Sequence, residues 1–213
     1  MEMARRDAES IIYSRLEITA LEPGDHLCVL CETEEEHRAL LTPFLRHKLE
    51  RGRKVFYITN AHSAETILGY LRDDGLEIEP YLASGQLSFS TADNTCIRGG
   101  VFDPAAMVAL LRTETEQALA GGYQALCAVG GMTWVLREPP GSRELIEYEA
   151  KLEEFLPESQ CLALCLYDRR HFDPAVLLDV LCAHPIVAVG TAVYDNFYYI
   201  PPAEFLGPSP LAG

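Results

Sequence analysis

The chain has 213 residues and a formal net charge of −15, long enough for one domain with a sizeable core and of the wrong sign for gripping nucleic-acid phosphates or an anionic membrane. Its apolar runs fall far short of a membrane span. The opening MEMARRDAES has two arginines but no apolar core behind them, so it is not a signal peptide, and the expected compartment is the cytoplasm.

Residues 8–16 read as an amphipathic lead-in with Ile11, Ile12 and Leu16 on one face. Glu22-Pro23-Gly24-Asp25 is a turn, and residues 26–30 (HLCVL) form a first strand apolar enough for burial on both faces. Thr33 caps the next helix, and Glu36 three residues on completes a capping box. Leu40, Leu41, Phe44, Leu45 and Leu49 repeat at helical spacing, with Pro43 expected to kink or split the helix and Thr42 to cap a second segment. KVFYIT at residues 54–59 is a strand, residues 63–74 a helix stopped by Gly75, and residues 78–83 one helical turn. QLSFS at 86–90 is a third strand. A polar loop over 91–101 leads to Asp103-Pro104, an N-cap followed by proline at the first helical position, which starts a helix running to about Ala120.

ALCAV at 125–129 is the fourth strand. After Pro139-Pro140-Gly141, Ser142 caps a helix over 143–156. CLALCLY at 161–167 is the fifth strand, Asp173-Pro174 starts a helix to Cys182, and residues 186–189 form a sixth strand. Residues 197–200 would be a seventh, at an edge where a second copy could pair to give a homo-oligomer. Strand and helix alternate throughout, which predicts an α/β fold with a mostly parallel central sheet covered on both faces. The expected organisation is a lead-in over 1–20, one domain over 21–206 and a tail over 207–213. Seven cysteines, an odd number mostly set in apolar runs, read as core residues in four or five cases rather than as a disulfide framework.

The turn after the first strand is where an α/β protein usually seats a phosphate. A phosphate-cradling loop needs glycines for close backbone approach and a lysine for charge. Here stand Glu32, Glu34, Glu35 and Glu36. Acids suit a first helical turn, so an acidic cap is one reading. A site that rejects nucleotide, and takes a cation or a hydrogen-bonding ligand, is the other. Two like charges 4 Å apart cost about 4 kcal/mol at an effective dielectric of 20, so carboxylates facing a triphosphate would cancel most of its affinity.

Several stretches together resemble the MEDS family, the methanogen/methylotroph DcmR-type sensory domain: HLCVLCETEEE, RGRKVFYIT, FDPAAM, GGMTWVL, YEAKL, CLYD, LCAHP and NFYYIPPAEFL, over residues 21–206. The resemblance implies a RecA/KaiC-like three-layer fold with a degenerate phosphate loop. It implies a non-catalytic sensor of small organic compounds of hydrocarbon-derivative type, without cofactor, acting in signal transduction or transcription. The output would pass to a protein partner such as a histidine kinase, a transcription regulator or an anti-sigma-type factor, with no direct nucleic-acid or membrane contact. Two departures stand out: Gly130-Gly131-Met132 where GEM is usual, and Cys31 where an aromatic is more usual.

Candidate ligand-binding residues are Glu32 and Thr33 at the first turn, Met132 and Trp134 after the fourth strand, Glu149 in the following helix, Tyr167 and Asp168 ending the fifth strand, and Asn196 after the sixth. Strand carboxyl ends are where open α/β sheets bind ligands, and a methionine with a tryptophan suits an apolar one. The plainer readings are that Trp134 packs a loop onto the sheet and that Glu149 is one more solvated acid. If instead it faced Asp168 it would be a buried acid of shifted pKa. Neither G-x-S-x-G nor H-E-x-x-H occurs, and no catalytic residue is expected. Two alternatives remain. One is a divergent KaiC-like ATPase. The other is a redox- or zinc-responsive interaction protein using Cys28 and Cys31, with His37 near in sequence, although alternation points the two cysteines to opposite faces if both lie in the strand.

Overall fold

A computed structural model describes residues 15–205. Eight strands form one sheet: β1 (Arg15–Leu16), β2 (His26–Cys31), β3 (Lys54–Thr59), β4 (Leu87–Thr91), β5 (Leu126–Gly131), β6 (Cys161–Asp168), β7 (Ile186–Val189) and β8 (Ala192–Asp195). Their spatial order is β1-β8-β7-β2-β6-β5-β3-β4. The six strands from β7 to β4 pair in parallel, while β8 runs antiparallel to β7 and β1 antiparallel to β8.

The helices are α1 (Glu34–Glu50), α2 (Ala64–Asp73), α3 (Glu79–Ala83), α4 (Pro104–Ala120), α5 (Leu145–Phe155), α6 (Pro174–Cys182) and α7 (Pro202–Phe205). Side-chain oxygens start four of them. Thr33, Ser63, Asp103 and Asp173 accept from backbone N–H groups of α1, α2, α4 and α6. From β2 the chain runs outward through β3 to β4, and α1 and α2 pack on one face with Leu27, Val29, Tyr57 and Leu164. It returns through β5, β6 and β7, and α4, α5 and α6 pack on the other face with Cys28, Phe56, Ala163 and Tyr167. Right-handed crossovers require this reversal of face. At β2 and its neighbour β6, the following helices therefore leave on opposite sides, opening a crevice at the carboxyl ends.

Five expectations change. Residues 8–14 lie outside the described residues, and Arg15–Leu16 is a strand pairing with Tyr194 and Val193 rather than the end of a helix. Pro43 does not split α1, which runs unbroken from Glu34 to Glu50. Pro43 and Ala39, whose carbonyl loses its partner, are both exposed residues, so the lost bond lies on the solvent side of the helix. Thr42 is buried inside the helix and caps nothing. Ser142 makes no cap either. A 3-10 turn, Ser142–Glu144, enters α5 without a side-chain cap.

Residues 197–200 are not a strand. The Asn196 amide donates to Leu181 O at 2.6 Å and His184 O at 2.7 Å, its Oδ1 accepts from Tyr198 N at 3.0 Å, and Ile200 N donates to Cys182 O at 2.9 Å. Those bonds tie the segment to the end of α6. The eighth strand is instead Ala192–Asp195, turned back on β7.

Candidate functional site

The crevice holds a cavity of about 200 Å³. Cys31 of β2, Asp168 of β6, Gly131 of β5 and Asn60 after β3 form its edge, with His37 of α1 and Tyr57 of β3 among its walls. This is the place of the phosphate loop in nucleotide-binding α/β folds, but only Glu32 and Thr33 separate β2 from α1. A G-x-x-x-x-G-K-[ST] loop needs several residues to wrap a phosphate.

One backbone donor in the first turn of α1, and one just before the helix, meet the chain's own side chains. Glu36 N donates to Thr33 Oγ1 at 3.1 Å, and Glu32 N donates to Glu36 Oε2 at 2.8 Å. The capping box thus closes one residue early, on Glu32 rather than on Thr33. Charge is neutralised locally as well. Arg169 pairs with Glu32, and Tyr70 Oη donates to Glu34 Oε1 at 2.9 Å. Asp168 accepts from Arg170 Nη2 at 2.6 Å and pairs with His171 Nδ1 at 3.0 Å. The Arg170 hydrogen bond leads in holding its carboxyl down at about 2.

Deeper in, His37 stacks on His62, with ring centroids 4.0 Å apart and planes 11° apart. Burial, helped by His62, lowers the His37 pKa to about 3, so the ring is neutral at ordinary pH. Its Nε2 lies 3.4 Å from Tyr57 Oη, while its Nδ1 is buried without a hydrogen-bond partner. Asn60 Nδ2 donates to Thr133 Oγ1 at 2.6 Å across the edge.

On the opposite face lies a second polar group, around the fully buried Glu149 of α5. Its Oε2 lies 3.3 Å from His26 Nε2, 3.4 Å from Cys165 Sγ and 3.5 Å from His184 Nε2. Tyr167 donates to its Oε1. Burial opposes charge on His26, but Glu149 and Glu153 outweigh it and raise the pKa. Burial favours a neutral Glu149 too, yet the histidines and Tyr167 keep its pKa low. His184, buried beside His26, falls to about 3.

The eight candidate residues therefore do not make one site. Glu32, Thr33 and Asp168 line the cavity. Glu149 is neither solvated nor facing Asp168. Strand alternation sends Tyr167 and Asp168 to opposite faces, and Glu149 sits with Tyr167. Met132 and Trp134 are buried, and the Trp134 ring lies 4.5 Å from that of Phe102. The 139–141 turn clips this packing in place: Phe102 N donates to Pro140 O at 2.8 Å, and a Cβ on Gly141 (φ +87°) would sit 2.1 Å from Phe102 O. Asn196 fastens the α6–β7 junction.

Cys28 and Cys31 both lie in β2 and face opposite sides, so with His37 they converge on no common ion and form no disulfide. Burial raises Cys28 well above the usual thiol range and Cys31 to about 11, leaving both poor thiolates. The cavity residues not singled out in the sequence are Tyr57, Asn60, Ala61, His62, Leu166 and Arg170. Asn60, Ala61, His62 and Arg170 follow strand ends, whereas Tyr57 and Leu166 lie inside β3 and β6.

The parallel sheet, its two helical layers and the crevice above β2 define a RecA-like α/β domain. The chain is similar to a KaiC-like protein from the hyperthermophilic archaeon Pyrococcus horikoshii (13% identity over 78% of this chain and 70% of that one, TM-score 0.52). It is similar to the flagellar accessory protein FlaH of Methanocaldococcus jannaschii (10%, 89% and 91%, TM-score 0.55). A third similar structure is an uncharacterised P. horikoshii protein in complex with an unknown peptide (16%, 78% and 77%, TM-score 0.58). No curated protein matches the chain. The family model of the methanogen/methylotroph DcmR sensory domain, MEDS, matches residues 25–185, and the chain belongs to that family of sensory domains. Among the described residues, no helix is long and apolar enough to cross a membrane.

Proposed function

We propose that this domain is a non-catalytic receptor for a small organic molecule of hydrocarbon-derivative type, bound in the cavity above β2 and read out by a protein partner. One observation carries the reading: the helix that would hold a nucleotide phosphate starts three residues after the last residue of β2 and is capped by its own Thr33, beside a cavity that remains open. At about 200 Å³ the cavity is below the roughly 300–1,000 Å³ of drug-sized sites, which favours a ligand of few atoms. Its walls mix Tyr57 and Leu166 with the His37 imidazole and the Asn60 amide. That combination suits a short apolar molecule bearing one oxygen or similar function. The sensory family supports the role, and the RecA-like neighbours support only the fold.

Thermal-shift and calorimetric titrations with small alcohols, ketones and halogenated alkanes test this against Mg²⁺-ATP. A ligand at a hundred times its Kd adds about 2.7 kcal/mol of stability, and His37→Ala should abolish the gain. Micromolar Mg²⁺-ATP affinity or ATP hydrolysis by the purified chain would overturn the reading in favour of a divergent ATPase.

A further inference from the structure

The buried cluster carries an inference independent of the cavity and its ligand. His26 Nε2, Glu149 Oε2, Cys165 Sγ and His184 Nε2 all lie within 4.8 Å of one another. The His26–Glu149, His184–Glu149, Cys165–Glu149 and Cys165–His26 separations are 3.3, 3.5, 3.4 and 3.6 Å. In a tetrahedral zinc site, bonds of about 2.0–2.3 Å place neighbouring donor atoms roughly 3.3–3.7 Å apart. These four of the six edges fall in that interval, and the remaining two, His26–His184 and Cys165–His184, lie within 4.8 Å. Two imidazoles, a carboxylate and a thiol also form a donor set that suits zinc.

The outward atoms of the donors are already held. His26 Nδ1 donates to Glu153 Oε2 at 3.2 Å, and Glu153 in turn accepts from Tyr199 Oη at 3.2 Å. His184 Nδ1 donates to Val180 O at 2.7 Å, and Tyr167 holds the second oxygen of Glu149. Such outer bonds fix ring tautomer and aim at metal sites. They leave the His184 Nε2 lone pair pointing inward. That atom is buried, has no hydrogen-bond partner, and faces a carboxylate oxygen. A proton on His26 bridges the His26–Glu149 edge but leaves this one as acceptor against acceptor, a costly arrangement unless a cation lies between.

We propose that His26, Glu149, Cys165 and His184 form a closed four-ligand zinc site that staples β2, β6, α5 and the α6–β7 junction. Binding releases the Cys165 thiol proton and any proton on His26 to solvent, and the two histidine rings open modestly from their 3.9 Å centroid separation. Four protein ligands leave no position for water, so the ion is structural.

The test uses the full chain purified without chelator, with metal content measured by plasma mass spectrometry and the site then loaded with Co²⁺. The expected result is about one zinc per chain, and a cobalt form showing strong tetrahedral visible bands with a sulfur-to-cobalt charge-transfer band. Cys165→Ser should erase the charge-transfer band and weaken zinc binding at least about tenfold, while Cys31→Ser on the opposite face keeps both. A folded chain that takes up neither zinc nor cobalt overturns the proposal, as does a charge-transfer band that survives in Cys165→Ser. If that variant does not fold, the wild-type spectrum decides alone: an octahedral, sulfur-free cobalt spectrum overturns the proposal.

Discussion

The two faces of the sheet solve the problem of charge differently. At the crevice, Glu32 and Asp168 are paired with Arg169 and Arg170 in the presence of water. Under α5, Glu149 has no water and depends on partners from three other elements. The first arrangement is tolerant, because solvent can replace any one partner. The second is dry, so each missing partner leaves a buried group unsatisfied. Polarity near β6 thus lines an open cavity at one face and acts as a fastening on the other.

The largest expected effect follows from cutting the dry cluster. Glu149→Ala leaves His26, Tyr167 and Cys165 without their common acceptor, and should cost about 3–5 kcal/mol in urea unfolding. A loss below about 1 kcal/mol would erase the contrast between the faces. Next comes acid. The His37 pKa lies below its unfolded value, so its contribution is complete above about pH 6.5 and is lost as pH falls toward about 3. Relative to pH 7, that amounts to about 2 kcal/mol by pH 5. Denaturant titrations at both pH values should show it, and His37→Phe should flatten this part of the profile.

Smaller again is the exposed pair at the rim. Arg169→Ala should cost under about 1 kcal/mol, and the loss should shrink in high salt. Smallest is a coupling. Cys28→Ala and Cys31→Ala, on opposite faces, should add to within about 0.5 kcal/mol in a double-mutant cycle. A larger coupling energy would mean that the faces communicate through β2.

The layered fold was legible because its signals are local. Continuous apolar runs marked β2 and β6, and Thr33, Asp103 and Asp173 announced their helices. The edge was not. Tyr198 and Tyr199 supplied strand-like residues, but Asn196 had already committed the backbone there to the end of α6. The cavity was half legible, since Glu32, Thr33 and Asp168 sit at strand ends. Tyr57 and His37 required knowing which strands become neighbours.

The buried cluster was least legible, since its members come from positions 26, 149, 165 and 184. One signal was present. Glu149 shares the helical stripe of Leu145, Tyr148 and Leu152, a place where an unpartnered acid is not tolerated. His184 sits beside Pro185, a local signal for a helix end that says nothing of a buried imidazole.

The two-residue link between β2 and α1 has a consequence for attempts to re-engineer this scaffold. Writing a lysine and glycines over the acids would change the chemistry and leave the length. No substitution lets two residues curl around a phosphate as a G-x-x-x-x-G-K-[ST] loop does, so grafting such a loop would require inserted residues and a helix start moved to match. The specialisation of this crevice is a matter of contour length, and point changes alone do not reverse it.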